Sequence, residues 1–160
     1  MSDPIRVLFV CLGNICRSPT AEGVFRKHLE KHGLADLVEV DSCGTGNWYV
    51  GSAPDERARK AAAERGIDIG HLRARQFRPV DLEAFHYILT MDRQNLADIR
   101  DVWTQQGGTE PRLFLDYLPD STVTEVPDPY YGGDDGFDHV LDLIHQASEG
   151  LLADIRTRLD

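Results

Sequence analysis

The stretch Ile5-Arg6-Val7-Leu8-Phe9-Val10-Cys11-Leu12-Gly13-Asn14-Ile15-Cys16-Arg17-Ser18-Pro19-Thr20-Ala21-Glu22 changes character twice within eighteen residues. Ile5 to Val10 is almost wholly apolar and rich in branched residues, the composition of a strand buried on both faces of a parallel sheet. A short polar loop follows. Ser18-Pro19 then reads as a helix start, the serine able to cap and the proline suited to the first helical position. Ala21, Val24, Phe25 and Leu29 continue as an apolar stripe at helical spacing until Gly33. The opening unit is therefore strand, loop, helix.

The same alternation continues down the chain. Leu37 to Val40 reads as a second strand, and Asp55 to Arg65, alanine-rich and closed by Gly66, as a second helix. Tyr87 to Met91 reads as a third strand, with Asp92 capping a helix that runs to about Trp103. Leu113 to Leu115 is a short fourth strand. Beyond a loop rich in Pro, Asp and Gly from Pro119 to Asp135, the spacing of Phe137, Val140, Leu141, Ile144, Leu151, Leu152 and Ile155 predicts a closing helix. Strands alternating with helices predict a three-layer α/β domain, a four-stranded parallel sheet flanked by helices on both faces with right-handed crossovers. In such sheets ligands bind beyond the carboxyl ends of the strands, where Cys11 to Ser18 would lie.

Composition limits what this domain can be. The 160 residues, 41% of them apolar and 28% charged, suit one globular domain over residues 1–160. A chain of this length buries roughly 70% of its unfolded surface, so it needs no disulfide staples. The longest apolar run, Val7 to Leu12, is six residues, far short of the roughly 20 that cross a bilayer. No basic start followed by a long apolar stretch opens the chain, and a cytoplasmic, membrane-free protein is expected. The net charge of −10 is uneven: residues 1–80 carry 12 basic and 10 acidic side chains, residues 81–160 carry 5 and 17. An acid excess on that scale argues against nucleic-acid binding, and an anion site belongs in the first half. Seven basic residues between Arg57 and Arg78 read mainly as solvated surface, with attraction of acidic phosphopeptides as the functional alternative. Three cysteines, an odd number, suit a reducing compartment.

Each part of the loop has a physical job. A thiol beside a helix N-terminus meets partial positive charge and unpaired N–H groups, a setting that favours the thiolate. Cys11 stands there. Gly13 and Asn14 tolerate positive φ, so successive backbone N–H groups of Leu12 to Cys16 can curl into a nest for an oxyanion. Arg17 can close that nest with a bidentate fork. An isolated cysteine ending a strand is usually an inert core residue; this one is followed by C-x5-R-S and a helix start. Zinc would need two pairs of close ligands, and the chain offers only Cys11 and Cys16, so neither metal nor cofactor is expected. A nucleotide P-loop would need a Gly-Lys pair, which is missing. A phosphocysteine route also needs a proton donor on another loop. Asp128, in Val126-Pro127-Asp128-Pro129-Tyr130-Tyr131-Gly132-Gly133, could serve, although its spacing fits a plain Asp-Pro turn as well.

Val10 to Glu22 together with Asp128-Pro129-Tyr130-Tyr131-Gly132 resembles the low-molecular-weight protein tyrosine phosphatases, and Asp41-Ser42, Asn47-Trp48, Ser52 to Asp55, His71 and Met91-Asp92 extend the likeness along the chain. The resemblance implies hydrolysis of protein phosphotyrosine and small aryl phosphates through a phosphocysteine intermediate, without metal. Carried over by position, it makes Cys11 the nucleophile, Arg17 the phosphate clamp and Asp128 the general acid and then base. Leu12, Gly13, Asn14, Ile15, Cys16 and Ser18 match the phosphate-binding loop, with Ser18 bonding the thiolate while capping the helix. Ser42 and His71 match residues that support the loop. Trp48, Tyr49, Tyr130 and Tyr131 match the aromatic rim. Cys16 matches a loop cysteine that can pair with Cys11 on oxidation. Cys43 has no counterpart and reads as a small buried residue.

Two rival readings differ in their requirements. A thioredoxin-coupled arsenate reductase shares the fold but needs relay cysteines further along, and no cysteine follows Cys43. A phosphotyrosine-binding module has little use for both Cys11 and Asp128. The expected partners are tyrosine-phosphorylated proteins, a tyrosine kinase among them, met by a monomer.

Overall fold

Burial explains where the sheet sits. In the computed structural model, which describes residues 3–118, 122–130, 132 and 135–159, β1 (Ile5–Cys11) carries Val7, Leu8, Phe9 and Val10 with no exposed surface, so both of its faces are covered. It pairs in parallel with β2 (Val38–Gly44) on one side and β3 (Tyr87–Thr90) on the other, Val7 standing opposite both Val40 and Tyr87. β4 (Arg112–Leu113) completes a parallel sheet of order β2-β1-β3-β4.

Period-two alternation sorts the two faces. Val7 and Phe9 pack with α1 (Arg17–Lys31), α2 (Glu56–Glu64) and α5 (Asp135–Leu159). Leu8 and Val10 pack with Leu82 of the short α3 (Asp81–Ala84) and Ile99 of α4 (Arg93–Gln106). Phe9 anchors the larger face through edge contacts to Phe25 at 6.0 Å and Phe114 at 4.9 Å. Every apolar position that marked the closing helix is buried in α5. The three-layer α/β sheet read from the sequence is the fold observed.

Several boundaries differ for local reasons. α1 begins at Arg17, so Ser18 and Pro19 fall inside its first turn and Cys16 occupies the cap position without a side-chain bond. Proline is tolerated there because first-turn N–H groups lack helical partners anyway. Ser18 is thus no helix cap. β2 runs on to Gly44 because Asp41 and Ser42 keep pairing with β1. Asp55 caps α2 by accepting the Arg57 N–H at 2.9 Å. Asp92 caps α4 in a capping box with Asn95, and that helix continues past Trp103 to Gln106 before Gly107, at φ +79°, ends it. Leu115 lies in a 3-10 turn, Phe114–Tyr117, rather than in β4. α3, with four residues, is too short to leave a periodic trace.

Two packing details give testable consequences. Gly150 lies in the middle of α5, where a Cβ would stand 1.8 Å from the Tyr117 carbonyl oxygen. Alanine normally improves a helix by about 1 kcal/mol over glycine; here Gly150→Ala should instead destabilise by about 1–3 kcal/mol through overpacking, read from urea unfolding. The second is a histidine pair, His28 Nε2 lying 3.1 Å from His145 Nδ1 between α1 and α5. Burial lowers both pKa values, helped at His28 by the neighbouring His145 and at His145 by Arg65. Below the ordinary histidine value of 6.5 the unfolded chain binds protons that the folded chain refuses. Stability should therefore hold above that pH and fall as the solution is acidified, and His28→Gln should flatten the slope measured between pH 7.5 and 5.

Candidate active site

β1 ends at Cys11, and the chain turns over the carboxyl edge of the sheet before entering α1. The turn is held from outside by its carbonyls. Cys11 O and Leu12 O accept from the N–H groups of Thr45 and Gly46, each at 2.9 Å, and Ile15 O accepts from Asp55 N at 2.7 Å. The N–H groups of Gly13, Ile15, Cys16 and Arg17 are left with no acceptor among the described residues, and these four residues line one cavity of about 240 Å³. Gly44 allows the approach of β2, since a Cβ there would sit 2.7 Å from Leu12 O.

Asn14 fixes the shape of the turn. Its φ of +58° is the left-handed region, the only such value for a residue other than glycine among the described residues. Its side-chain amide donates to Ser18 Oγ at 2.8 Å and Ser42 Oγ at 3.0 Å, and its Oδ1 accepts from the Arg75 N–H at 3.0 Å. Ser42 in turn donates to Glu22 Oε1 at 2.7 Å, and Arg26 pairs with Glu22 at 2.7 Å. Glu22 is buried, which pushes its carboxyl pKa up; Ser42 and Arg26 oppose that shift.

Cys11 Sγ lies at the floor of the cavity, accepting the Asn14 N–H at 3.3 Å and facing Ser18 Oγ at 3.0 Å. Cys16 differs sharply. Burial, then Asp55 and Cys11, push its thiol far above the ordinary value, so it stays protonated. Cys43 is fully buried and its thiol is raised well above the ordinary value by burial. Arg17, only 3% exposed, donates through Nη1 to Asp92 Oδ2 at 2.7 Å and to Val126 O at 3.0 Å. Burial works against its charge, and Cys11, Asp92 and Asp128 more than offset it, raising its pKa. Asp128 lines the same cavity, its Oδ2 3.8 Å from Arg17 Nη2 and its Oδ1 accepting the Tyr130 N–H at 3.0 Å.

The structure thus brings together Cys11, Leu12, Gly13, Ile15, Cys16, Arg17, Trp48, Tyr49, Asp128 and Tyr130 around the cavity, with Asn14, Ser18 and Ser42 behind the loop. Trp48 is 70% exposed and forms an outer wall. Tyr131 lies outside the described residues. His71 is a correction: it is exposed, lines a different cavity against Gly23 and Lys27 of α1, and makes no hydrogen bond among the described residues. The supporting bond on Asn14 comes from the backbone of Arg75 instead. The stretch from Arg57 to Arg78 is likewise more than solvated surface, because Arg75 pairs with Asp41 and Asp81, each at 3.0 Å. Glu22 and Arg75 are the structural participants that pattern reading passed over, and Asp92, legible only as a helix cap, also holds Arg17.

A cup walled by unpaired N–H groups, closed by a guanidinium and floored by sulfur fits one tetrahedral oxyanion on an aromatic stem, the work of a cysteine-dependent phosphatase. Comparison with known proteins agrees. Residues 6–159 match the family model described as low molecular weight phosphotyrosine protein phosphatase. The chain is 42% identical over 152 residues to the low molecular weight protein-tyrosine-phosphatase YfkJ of Bacillus subtilis, covering 95% of this chain and 96% of that one. It is 49% identical over 138 residues to the low molecular weight phosphotyrosine protein phosphatase of Schizosaccharomyces pombe, covering 86% and 88%. The crystal structure of YfkJ superposes with a TM-score of 0.93 at 40% identity, covering 99% of both chains. The chain belongs to the low-molecular-weight protein tyrosine phosphatase family and is a hydrolase of that kind.

The loop's supports are open to test. Ser42→Ala leaves the Asn14 amide and the Glu22 carboxyl each one partner short, a loss of about 1–3 kcal/mol in denaturant unfolding. It should also shrink the rise in unfolding midpoint that inorganic phosphate produces. His71→Ala should leave both quantities unchanged; a loss of phosphate stabilisation there would return His71 to the loop's support.

Proposed function

We propose that the protein hydrolyses phosphotyrosine in proteins, and small aryl phosphates, through a phosphocysteine formed on Cys11. The observation that carries this reading is convergence: the Cys11 thiol, the Arg17 guanidinium and the Asp128 carboxyl line one cavity of about 240 Å³. In the first step the Cys11 thiolate attacks phosphorus and the P–O bond to the aryl oxygen breaks. Asp128 gives its proton to the departing oxygen. In the second step the Asp128 carboxylate takes a proton from water as the water oxygen attacks phosphorus, releasing phosphate and restoring the thiolate.

Arg17 and the loop N–H groups stabilise the charge on the three non-bridging oxygens. Because Asp92 and Val126 O hold Nη1, the guanidinium is oriented before substrate arrives. Ser18 can donate to the thiolate both before attack and as it leaves. The aromatic wall of Trp48, Tyr49 and Tyr130 favours a tyrosyl stem over the short stem of phosphoserine. No metal is required by these steps, and none of the described residues groups three or more metal-ligating side chains.

We further read the chain as one domain acting as a monomer in the cytoplasm on tyrosine-phosphorylated proteins, kinases included. No described helix is long and apolar enough to cross a membrane. The arsenate reductase reading is weaker because Cys43, fully buried with a raised pKa, is a poor disulfide relay. A pure binding module leaves the placement of Asp128 unexplained.

Hydrolysis of p-nitrophenyl phosphate in EDTA, followed by phosphotyrosine and phosphoserine peptides, tests the reading; activity on phosphoserine equal to that on phosphotyrosine contradicts it. Cys11→Ser should abolish turnover while phosphate still binds. Asp128→Ala should lower kcat by about 10²–10⁴ on phosphotyrosine and less on aryl phosphates with good leaving groups. An equal, small loss on every substrate would make Asp128 a turn residue.

A further inference from the structure

Asp128 sits on a short, stiff bridge. Its upstream end is fixed at Val126, whose N–H donates to Met91 O at 2.8 Å and whose carbonyl accepts from Arg17 at 3.0 Å. Only Pro127, Asp128 and Pro129 separate that anchor from Tyr130, and the two prolines fix φ on either side of the carboxyl. Its aim is therefore set by what holds the downstream end.

That hold is Arg57. From the first turn of α2 its Nη2 donates to Tyr130 O at 2.8 Å and its Nη1 to Gly132 O at 3.4 Å. The guanidinium also packs over two rings, 5.5 Å from the Tyr130 centroid and 4.9 Å from that of Phe137. Asp55 orients it, accepting both its backbone N–H at 2.9 Å and its Nε at 3.2 Å. The Asp55 N–H meanwhile donates to Ile15 O at 2.7 Å, in the phosphate loop. One turn of chain thus clasps both halves of the site: Asp55 grips the loop that carries the nucleophile, and Arg57 grips the loop that carries the acid.

We propose that Arg57 is a positioning residue for the Asp128 proton transfer, setting the height of the carboxyl above Cys11 by holding the Tyr130 and Gly132 carbonyls. The inference rests on Asp128 acting as general acid. A planar fork serves two carbonyls while stacking on rings, which a lysine ammonium does not do. Releasing the downstream end would cost proton transfer selectively, because the phosphate loop keeps its own supports on Asn14.

The test is kcat/KM across aryl phosphates of rising leaving-group pKa, from p-nitrophenyl to phenyl phosphate, for Arg57→Ala, Arg57→Gln and Arg57→Lys, with inhibition by inorganic phosphate measured alongside. All three variants should lose about 10- to 100-fold on phenyl phosphate and about threefold or less on p-nitrophenyl phosphate, with phosphate inhibition unchanged. In an Asp128→Ala background, Arg57→Ala should steepen the dependence no further. A uniform loss on every substrate, weakened phosphate inhibition, or full activity in Arg57→Lys overturns the positioning role. If Asp128→Ala itself fails to steepen the dependence, the general-acid assignment falls instead. A steep Asp128→Ala with a flat Arg57 series removes Arg57 alone.

Discussion

The site depends on one strained residue. Asn14 holds a left-handed backbone at φ +58° that costs a non-glycine residue on the order of 1 kcal/mol or more, and its side-chain amide makes the bonds that sustain it. Those bonds reach Ser18 in α1, Ser42 in β2 and the backbone of Arg75 ahead of α3. The helix that follows, the neighbouring strand and a segment 61 residues further on are tied to the tip of one loop. A glycine would take the same φ without strain, yet it would leave Ser18, Ser42 and the Arg75 N–H without their shared partner. The choice of asparagine thus makes the cup a property of the whole sheet edge instead of a local turn.

Charge is arranged so that the cup places one fixed cation beside the Cys11 sulfur before any ligand enters. Burying Arg17 without partners would be prohibitive; Asp92 at 2.7 Å supplies a permanent one, and Asp128 at 3.8 Å a looser one. The looser contact leaves Nη2 able to turn toward a phosphoryl group while Nη1 stays in place. Cys16, five residues from Cys11, is kept protonated by burial first and then by Asp55 and Cys11. A thiolate there would repel an incoming phosphoryl dianion. Burial of Cys16 and orientation of Arg17 therefore serve the same end, a pocket whose free charge is matched to its ligand.

Which parts of this were legible in the sequence follows from range. β1, α1 and α5 announce themselves through burial patterns that are local, and C-x5-R bounded by a strand and a helix locates Cys11 and Arg17. Asp128 reads in the sequence as an Asp-Pro turn or a proton donor alike, and its place on the cavity wall, 3.8 Å from Arg17, depends on how the loop folds over the cup. Asp92 was legible as a helix cap, which it is; that its second oxygen holds Arg17 depends on β3 lying beside β1. Glu22 offered a faint signal, a carboxylate one residue past Ala21 and three before Phe25 on a helix whose first half is buried throughout except Gly23. His71 matched by residue type alone. The group that reaches Asn14 is a backbone N–H, and no side-chain pattern encodes it.

The uneven charge of the chain acquires a meaning in three dimensions. The more basic first half and the acidic second half meet through pairs that cross between them: Arg17 with Asp92 at 2.7 Å, Arg75 with Asp81 at 3.0 Å and Arg65 with Asp142 at 2.9 Å. Of these, the partly exposed Arg65 pair contributes little, whereas Arg17 and Asp81 are each 3% exposed, and removing Asp92 or Arg75 leaves a buried charge short of its close partner. The first half builds the cup, and the second half contributes Asp92 and Asp128. A net charge of −10 repels a dianionic substrate at long range, but screening limits that field to about 8 Å at physiological salt. Within that distance the field is that of Arg17 and the loop N–H groups, so capture of the phosphoryl group is a local affair that the acidic surface does not oppose.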